Sequence, residues 1–207
     1  MNIARCLAIM LISLFGTVFS TASFGQVIHW PPDTLPTLAG QEFTLQQIRS
    51  QAATVVLFLD PDCPVTQKYG ATIRELRKEW ESEGVNVIAV YPVVNIDSST
   101  VAEFAQVYRY DFSHLPDPQQ QLAKQLTART TPEAFLLDSL GQVRYRGAID
   151  NWFYELGRYR RVVTKHYLKD ALIAYLQGEP IAVAKTEAIG CLIGTAMTEE
   201  PHHGHHQ

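Results

Sequence analysis

The chain has 207 residues, of which 46% are hydrophobic and 18% are charged. This length suits one α/β domain with short extensions rather than two full domains. Acidic residues outnumber basic residues by 21 to 17, and the resulting formal net charge of −4 at pH 7 argues against a nucleic-acid partner.

The first 25 residues have the pattern of a secretory signal peptide. Arg5 is their only charged residue, residues 6–19 are almost entirely apolar, and Ser23 and Gly25 are small residues at positions −3 and −1 of a cleavage site. The apolar stretch is shorter than the roughly 20 residues that span a bilayer, which disfavours the alternative of a membrane anchor. We therefore predict removal of residues 1–25, export to the periplasm and no membrane association afterwards.

A proline-containing arm follows the predicted cleavage site. Its three prolines exclude a regular helix from residues 26–40. A short helix is expected at 46–50. The apolar, β-branched run at 54–59 is typical of a strand that is buried on both faces, and so predicts a central strand of a sheet.

A cysteine lies where this strand ends and a helix begins. The turn reads Asp60-Pro61-Asp62-Cys63-Pro64. The apolar residues after it recur at spacings of four, three and four, which marks one face of a helix: Tyr69, Ile73, Leu76 and Trp80. We expect Asp62 or Cys63 to cap this helix, Pro64 to fit its first turn, where a missing N–H costs nothing, and Gly84 to end it.

The rest of the chain alternates strands and helices. The predicted elements are a strand at 85–91, a helix capped by 98–100, a short helix at 118–126, a β-hairpin of 133–138 and 142–147 around Gly141, and a last helix at 161–177 that Gly178 ends. This order, β-α-β-α-β-β-α, assigns residues 41–178 to one α/β domain, a three-layer sandwich whose central mixed sheet is flanked by helices. Residues 179–207 form a C-terminal tail with Cys191 and a His-rich end.

Three local features resemble the thioredoxin-like superfamily, and within it the redoxin branch related to alkyl hydroperoxide reductase and thiol-specific antioxidant proteins. They are the cysteine at the strand-to-helix turn, the Thr131-Pro132 pair just before a strand, and the hairpin from Phe135 to Gly147. The resemblance covers residues 34–178 and implies the thioredoxin-like fold, with Pro132 in a cis peptide bond beside a reactive cysteine. The segment 186–191 also looks like the ending of exported redoxin relatives.

Two departures limit what the resemblance implies. The C-x-x-C motif of thioredoxins is replaced by Cys63-Pro64-Val65-Thr66, which excludes a local dithiol cycle. Peroxiredoxins carry proline seven and threonine three residues before their reactive cysteine, whereas this chain has Val56 and Asp60 at those positions. Peroxidase activity is therefore not carried over residue by residue.

Cys63 is the candidate nucleophile, because the thiolate is the reactive species in disulfide exchange. The start of a helix favours an anion and lowers a thiol pKa, whereas Asp60 and Asp62 oppose that effect. Thr66 either donates a hydrogen bond to the sulfur or is an ordinary first-turn residue. The alternative for Cys63 is a small buried hydrophobe, but its turn favours a redox or metal role.

Cys191 is the candidate partner of Cys63, since an oxidising compartment allows the two cysteines of the processed chain to form a disulfide. Cys191 follows Gly178 by 13 residues. At about 3.3 Å per residue this length reaches about 40 Å, enough to cross a small domain. Two roles stay open: Cys191 resolves a catalytic intermediate of Cys63, or it forms a fixed bridge that pins the tail.

Three functions are compatible with these residues. The first is a redoxin-like thiol-disulfide oxidoreductase or thiol antioxidant that uses Cys63, Cys191, Thr66 and Pro132, needs no cofactor, and acts on a thiol or disulfide protein or a peroxide. The second is a copper-handling thioredoxin-fold chaperone that uses Cys63 and a histidine, although Gln67 lies where such proteins have a second cysteine. The third is a non-catalytic interaction module with a permanent bridge.

Several other polar residues have an ordinary structural alternative. The histidines at 202, 203, 205 and 206 either bind a metal or only adsorb one as a terminal tail, and we assign no metal ligand. His114 and His166 are interpreted as a loop and a helix residue. Glu133, next to Pro132, is either a proton-transfer group or a carboxylate at a strand edge.

Overall fold

A computed structural model describes residues 34–194. The predicted signal peptide, the start of the arm and the His-rich end lie outside the described residues. Within residues 34–194, no helix has both the length and the apolar character that crossing a membrane requires.

The described chain contains short flanking strands and a core of alternating strands and helices. In chain order the elements are β1 (Thr34–Pro36), β2 (Glu42–Thr44), α1 (Leu45–Arg49), β3 (Ala53–Phe58), α2 (Pro64–Trp80), β4 (Val85–Tyr91), α3 (Ser98–Tyr108), β5 (Ser113–Pro116), α4 (Gln121–Leu126), β6 (Thr130–Thr131), β7 (Glu133–Asp138), β8 (Val143–Gly147), β9 (Phe153–Glu155), β10 (Arg158–Tyr159), α5 (Tyr167–Leu176) and β11 (Cys191–Leu192).

Five strands form a central mixed sheet in the order β5-β4-β3-β7-β8. Strand β4 runs parallel to β3 and β5, whereas β7 runs antiparallel to β3 and β8. Every residue of β3 and β7 is buried, as the continuous apolar run of the sequence predicts. The mixed sheet of the thioredoxin-like fold is thereby confirmed.

Alternate residues of β3 point into two separate cores. Val55 and Leu57 pack with residues of α2, α3 and α5, whereas Val56 and Phe58 pack with residues of α1 and α4. This alternation follows from the two-residue period of a strand, and it gives the helix–sheet–helix layers that the sequence predicts.

The last predicted helix begins later than expected. Helix α5 begins at Tyr167, not at residue 161, and Val162 is 68% exposed. The Asn151 side chain explains the difference, because its Oδ1 accepts hydrogen bonds from the backbone N–H groups of Thr164 and Lys165 at 3.0 and 3.1 Å. These contacts hold the segment before α5 in a non-helical conformation.

Two further elements differ from the sequence prediction. Helix α4 begins at Gln121 rather than at residue 118, because the Asp117 carboxylate accepts hydrogen bonds from the N–H groups of Gln121 and Ala123 and so defines the start of the helix. Asp97 caps α3 in place of residues 98–100, with its side chain accepting from the N–H of Ser99. The edge strand β5 was not predicted.

Candidate active site around Cys63 and Cys191

The turn after β3 places Cys63 at the start of α2. Its N–H donates to the carbonyl of Asp60 at 3.1 Å, while the Asp60 carboxylate accepts from the N–H of Asp62 at 2.9 Å. Cys63 is the N-cap residue, but its side chain makes no capping hydrogen bond, and Pro64 is the first helical residue. The sulfur therefore lies at the positive end of a 17-residue helix.

The Cys63 thiol is buried against the loop that precedes β7. Cys63 is 1% exposed, and its Sγ donates a hydrogen bond to the carbonyl of Thr131 at 3.1 Å. The Thr131–Pro132 peptide bond is cis and Pro132 is buried, as the resemblance implies. Two of the three features that carry the family resemblance, the cysteine turn and the Thr131-Pro132 pair, thus meet at one point.

The C-terminal segment 184–194, which we call the strap, crosses the domain to reach this point. At its beginning, the N–H of Arg146 donates to the carbonyl of Ala184, and the N–H of Thr186 donates to the carbonyl of Arg146. The Thr186 hydroxyl also hydrogen-bonds Tyr145 at 2.7 Å. Strand β8 therefore anchors the strap before it turns toward Cys63.

At its far end the strap adds a strand beside the Thr131 loop. Strand β11 pairs antiparallel with β6, with Cys191 opposite Thr131, and the N–H of Ile193 donates to the carbonyl of Arg129 at 2.9 Å. Gly190 permits this approach, because a Cβ built there would lie 2.0 Å from the carbonyl oxygen of Thr131. The strap thereby brings Cys191, 128 positions later in the chain, to Cys63.

Both cysteines are free thiols, and their side chains interact. Burial raises the pKa of Cys63, but hydrogen bonds that Cys191 and the backbone N–H of Thr66 donate to the ionised sulfur outweigh burial and leave the pKa below its ordinary value, with the Thr66 hydroxyl contributing least. Burial, the hydrogen bond with Cys63 and the charges of Cys63 and Asp60 raise the pKa of Cys191 to about 12. Cys63 is therefore the first of the two thiols to lose its proton, and Cys191 stays protonated when Cys63 becomes a thiolate.

Thr66 lies one turn into α2 and faces this thiol pair. It is fully buried, and its hydroxyl has no hydrogen-bond partner among the described residues. Because the Cys63 thiol donates to the Thr131 carbonyl, the Thr66 hydroxyl is free to donate to the sulfur once the thiol loses its proton. This position favours the first of the two roles that the sequence left open.

Glu133 supports the loop instead of facing the sulfur. Its buried carboxylate accepts hydrogen bonds from the N–H groups of Arg129 and Thr130 at 2.7 and 3.3 Å, and it pairs with Arg146 at 3.3 Å. Through these bonds the carboxylate holds the backbone at and before β6, the strand that pairs with the strap. The position of Glu133 next to Pro132 indicated in the sequence that this residue lies near the site. Nothing in the sequence indicated its ion pair with Arg146.

The two histidines within residues 34–194 belong to no metal-binding cluster. His114 is buried and its Nδ1 hydrogen-bonds the Tyr91 hydroxyl at 2.8 Å, while His166 is exposed at the N-cap position of α5 and makes no capping hydrogen bond. Within residues 34–194, no group of three or more His, Cys, Asp or Glu side chains is arranged to hold a metal ion. The four tail histidines lie outside the described residues.

The cysteine turn, the cis-proline loop and the hairpin all fall within or beside a segment that matches a known family. Residues 29–146, more than half of the chain, match the AhpC/TSA family. This chain belongs to the AhpC/TSA family. Its resemblance to the redoxin branch is thereby confirmed, whereas no curated protein matches the chain.

Solved structures share the fold of this AhpC/TSA protein. A hypothetical protein from Sinorhizobium meliloti 1021 is 27% identical, with a TM-score of 0.69 over 77% of this chain and 88% of that one. An uncharacterized conserved protein from Geobacillus kaustophilus is 26% identical, with a TM-score of 0.71 over 82% and 90%. A protein from Chlorobium tepidum, described provisionally as the thiol:disulfide interchange protein DsbE, is 17% identical, with a TM-score of 0.53 over 69% and 92%, and shares the fold.

Beside the cysteine pair, a cleft of about 250 Å³ opens at the carboxyl ends of β3 and β4 in this AhpC/TSA protein. Asp60, Gln120 and Thr131 line it together with strap residues 192–194. Burial raises the pKa of Asp60, and the hydrogen bond from the N–H of Asp62 only partly offsets that effect. The cleft therefore borders Thr131 and Leu192, which neighbour the cysteine pair, but neither cysteine lines it.

Proposed function

We propose that this protein is a thiol oxidoreductase whose redox-active pair is Cys63 and Cys191. The observation that carries the proposal is the pairing of the strap with β6, which places Cys191 opposite the residue whose carbonyl receives the Cys63 thiol. In this assignment Cys63 is the nucleophile and Cys191 the resolving thiol. Thr66 stabilises the Cys63 thiolate, and Pro132 shapes the loop beside it.

The pKa of Cys63 is lowered and that of Cys191 is raised, so Cys63 acts as the attacking thiol and Cys191 as the resolving thiol. The Cys63 thiolate attacks one sulfur of a substrate disulfide, forms a mixed disulfide and releases a substrate thiolate. Cys191 then attacks Sγ of Cys63, which forms the Cys63–Cys191 disulfide and releases the second substrate thiol. With a hydroperoxide ROOH, the Cys63 thiolate attacks the terminal oxygen, the O–O bond breaks, and Cys63 becomes a sulfenic acid while RO⁻ takes a proton and leaves as the alcohol ROH. Cys191 then attacks Sγ of Cys63, the S–O bond breaks, and the hydroxyl leaves with the Cys191 proton as water.

Loss of the negative charge on Cys63 makes Cys191 more reactive in the second step, its attack on Sγ of Cys63. While Cys63 is a thiolate, its charge and hydrogen bond contribute to the raised pKa of Cys191. Once Cys63 carries a mixed disulfide or a sulfenic acid, those two contributions disappear, although burial remains. Cys191 therefore becomes a better nucleophile only after Cys63 has reacted.

A reversible pair is favoured over a fixed bridge by the way the strap is held. Strand β11 has two residues, and Leu192, next to Cys191, is 82% exposed. Cys191 itself is only partly buried. Strained or exposed disulfides are the ones that participate in exchange, whereas structural disulfides resist reduction.

Activity assays of single-cysteine variants test the proposal. In a full-length chain with Cys6→Ser, reduction of a protein disulfide and consumption of a hydroperoxide are measured separately with a dithiol as electron donor. We expect Cys63→Ser to abolish the activity and Cys191→Ser to accumulate the first intermediate on Cys63. Full activity of Cys63→Ser in both assays, or a permanently oxidised pair without either activity, would contradict the proposal.

Export to the periplasm and a domain at 41–178 are part of the same proposal. Export rests on the charge and apolar pattern of residues 1–25, and it would put the pair in a compartment in which its disulfide form persists. The N-terminal sequence of protein recovered from the periplasm is expected to begin at Gln26. Recovery of the uncut chain from the cytosol would contradict export.

A further inference from the structure

A small β-hairpin stands apart from the central sheet and is fixed to the helix that begins at the Cys63 turn. Strands β9 and β10 form a two-stranded sheet of their own. On the inner side of the hairpin, Trp152 and Phe153 pack against Tyr69 of α2, with their ring centroids 5.3 and 5.7 Å from that of Tyr69. The Tyr69 hydroxyl donates a hydrogen bond to the Asp150 carboxylate at 2.6 Å. These contacts hold the hairpin beside α2.

The outer side of the hairpin carries a concentration of exposed apolar side chains. Residues 34–194 expose eleven large hydrophobic side chains, and four of them lie within nine consecutive positions: Tyr154, Leu156, Tyr159 and Val162. Exposed apolar residues that are scattered singly are normal on a soluble protein, whereas a group of them marks an interaction site. The hairpin therefore has the character of a docking surface.

The same surface is basic, although the protein as a whole is acidic. Residues 151–165 contain four basic residues and one acidic residue, a net charge of +3, whereas the whole chain carries −4. The acidic residue, Glu155, pairs with Arg158 at 3.2 Å. The side chains of Arg161 and Lys165 are exposed and make no hydrogen bond or ion pair with any residue of 34–194. Their positive charge is available to a partner.

Two further cations lie against the exposed tyrosines. Lys68 of α2 places its Nζ 4.9 Å from the centre of the Tyr159 ring, and the Arg160 guanidinium lies 5.3 Å from the centre of the Tyr154 ring. Tyrosine and arginine are residue types that concentrate at protein–protein interfaces. We call the exposed side chains of 154–165 together with Lys68 the hairpin face.

We propose that the hairpin face binds an extended, acidic segment of a protein, and that this protein is the disulfide-bearing substrate. The identification of the partner as a substrate rests on the proposed function. Carboxylates of the segment pair with the available cations, and its apolar side chains cover Leu156 and the exposed tyrosines.

The distribution of charge favours this occupant over two others. A two-fold contact pairs a surface with itself, so a second copy of the chain joined through the hairpin face would bring like charges together. A bilayer takes up a surface whose apolar and charged sides are segregated. Here cationic and apolar residues are interleaved, as in Tyr159-Arg160-Arg161-Val162. A protein segment matches such a mixed surface residue by residue.

The position of the hairpin face also predicts where the acidic residues lie relative to the substrate disulfide. Lys68 follows Cys63 by five residues, which is about 8 Å along α2 at 1.5 Å per residue. Asp60 and Asp62 make the turn at Cys63 itself acidic. Acidic residues of the substrate are therefore repelled from the turn and attracted to the hairpin face, at least about three residues from the reacting cysteine in an extended chain.

Binding of a synthetic peptide tests the surface without turnover. A fluorescein-labelled, cysteine-free peptide rich in glutamate, leucine and tyrosine is titrated with the reduced full chain carrying Cys6→Ser, and its Kd is read by fluorescence anisotropy. Arg161→Glu combined with Lys165→Glu should weaken binding at least about tenfold at low ionic strength. A peptide with lysine in place of each glutamate should bind at least about tenfold more weakly than the glutamate peptide. Equal binding of the two peptides would overturn the inference.

Arg49→Glu combined with Lys78→Glu is the charge-matched control. Both residues are exposed, Arg49 ends α1 on the other side of the sheet, and Lys78 lies about 15 Å beyond Lys68 along α2. This control should bind the glutamate peptide as the unaltered chain does. Equal losses for the two double variants would reduce the effect to overall charge and overturn the inference.

The apolar part of the hairpin face has its own test. Leu156→Ser should weaken peptide binding by about threefold, whereas Leu140→Ser should not, although both leucines lie in hairpin turns and are 63% and 65% exposed. Equal effects would contradict a specific contact. Cosedimentation with phosphatidylglycerol vesicles in place of peptide binding, or a dimer in solution that Arg161→Glu with Lys165→Glu abolishes, would assign the face to lipid or to a second copy and overturn the inference.

Turnover of matched substrates separates this inference from the proposed function. Two disulfide peptides differ only in carrying glutamate or glutamine from about three residues beyond the cysteine. We expect a KM about tenfold lower for the glutamate peptide at unchanged kcat, and loss of that difference in Arg161→Glu with Lys165→Glu. Equal KM values would overturn the inference and leave the proposed function standing. Binding of the glutamate peptide without turnover of either disulfide peptide would overturn the proposed function, and with it the role of the partner as a substrate.

Discussion

The close approach of Gly190 to the Thr131 loop gives the most specific prediction. In Gly190→Ala, the added methyl group would lie 2.0 Å from the Thr131 carbonyl oxygen, so the strap has to move away from β6. Movement breaks the pairing of Cys191 with Thr131 and of Leu192 with Thr130. Cys191 is then presented to Cys63 less often.

The size of the effect follows from the hydrogen bonds at risk. If the pairing of β11 with β6 is counted as about two backbone hydrogen bonds at about 1 kcal/mol each, its loss weakens the local structure that presents Cys191 by about 2 kcal/mol. Since 1.4 kcal/mol is a factor of ten, the effective concentration of Cys191 falls about 30-fold. For a two-electron couple this raises the reduction potential of the Cys63–Cys191 disulfide by about 40 mV.

Equilibration with glutathione redox buffers measures that change. The fraction of Cys63–Cys191 disulfide is read by alkylation and mass spectrometry in the Cys6→Ser chain, with and without Gly190→Ala. Gly194→Ala is the matched control, because a Cβ there meets no heavy atom within 4 Å. Identical midpoints for Gly190→Ala and Gly194→Ala would refute the claim that strand pairing presents Cys191.

Two further predictions concern buried polar groups. Thr66→Val and Thr54→Val each remove a buried hydroxyl that has no partner while Cys63 is a protonated thiol. At a pH low enough to keep Cys63 protonated, each should raise the free energy of unfolding by about 1 kcal/mol. Only Thr66→Val should raise the alkylation pKa of Cys63, and equal alkylation profiles would exclude Thr66 from the site. Burial lowers the pKa of His114 in the folded chain below 6.5. Below pH 6.5 the unfolded chain therefore binds a proton that the folded chain excludes. The His114 site costs no stability above pH 6.5, and the free energy of unfolding declines as the pH falls toward the lower pKa of the folded chain. Chemical denaturation between pH 7.5 and 5 should therefore show a smaller loss for His114→Gln than for the wild type or for the exposed control His166→Gln, and equal losses would refute this assignment.

The sequence predicts those parts of the fold that local patterns determine. The apolar run of β3 and the spacing of Tyr69, Ile73 and Trp80 in α2 are periodic, and both elements lie where expected. The position of Cys63 at the N-cap of α2 follows directly, because it is the residue before the proline that begins the helix. The family resemblance adds the cis bond before Pro132.

Contacts between distant residues explain what the sequence does not predict. Helix α5 shows a helical pattern from residue 161, but Asn151 captures the backbone of Thr164 and Lys165 and delays its start. Strand β11 has two residues and no periodicity, so its pairing with β6 has no local signal. The proximity of Cys191 to Cys63 was thus a geometric possibility in the sequence and becomes a specific arrangement only through tertiary contacts.

Reversible formation of the Cys63–Cys191 disulfide within one molecule is the most direct test of this account. The full chain with Cys6→Ser is treated with a mild oxidant, analysed by intact mass and peptide mapping, and then returned to a dithiol reductant. We predict a loss of two hydrogen atoms, a single cross-linked peptide that joins Cys63 to Cys191, and full recovery of both thiols on reduction. If both cysteines still alkylate after oxidation, or if they pair only between molecules, the proposed redox pair is wrong.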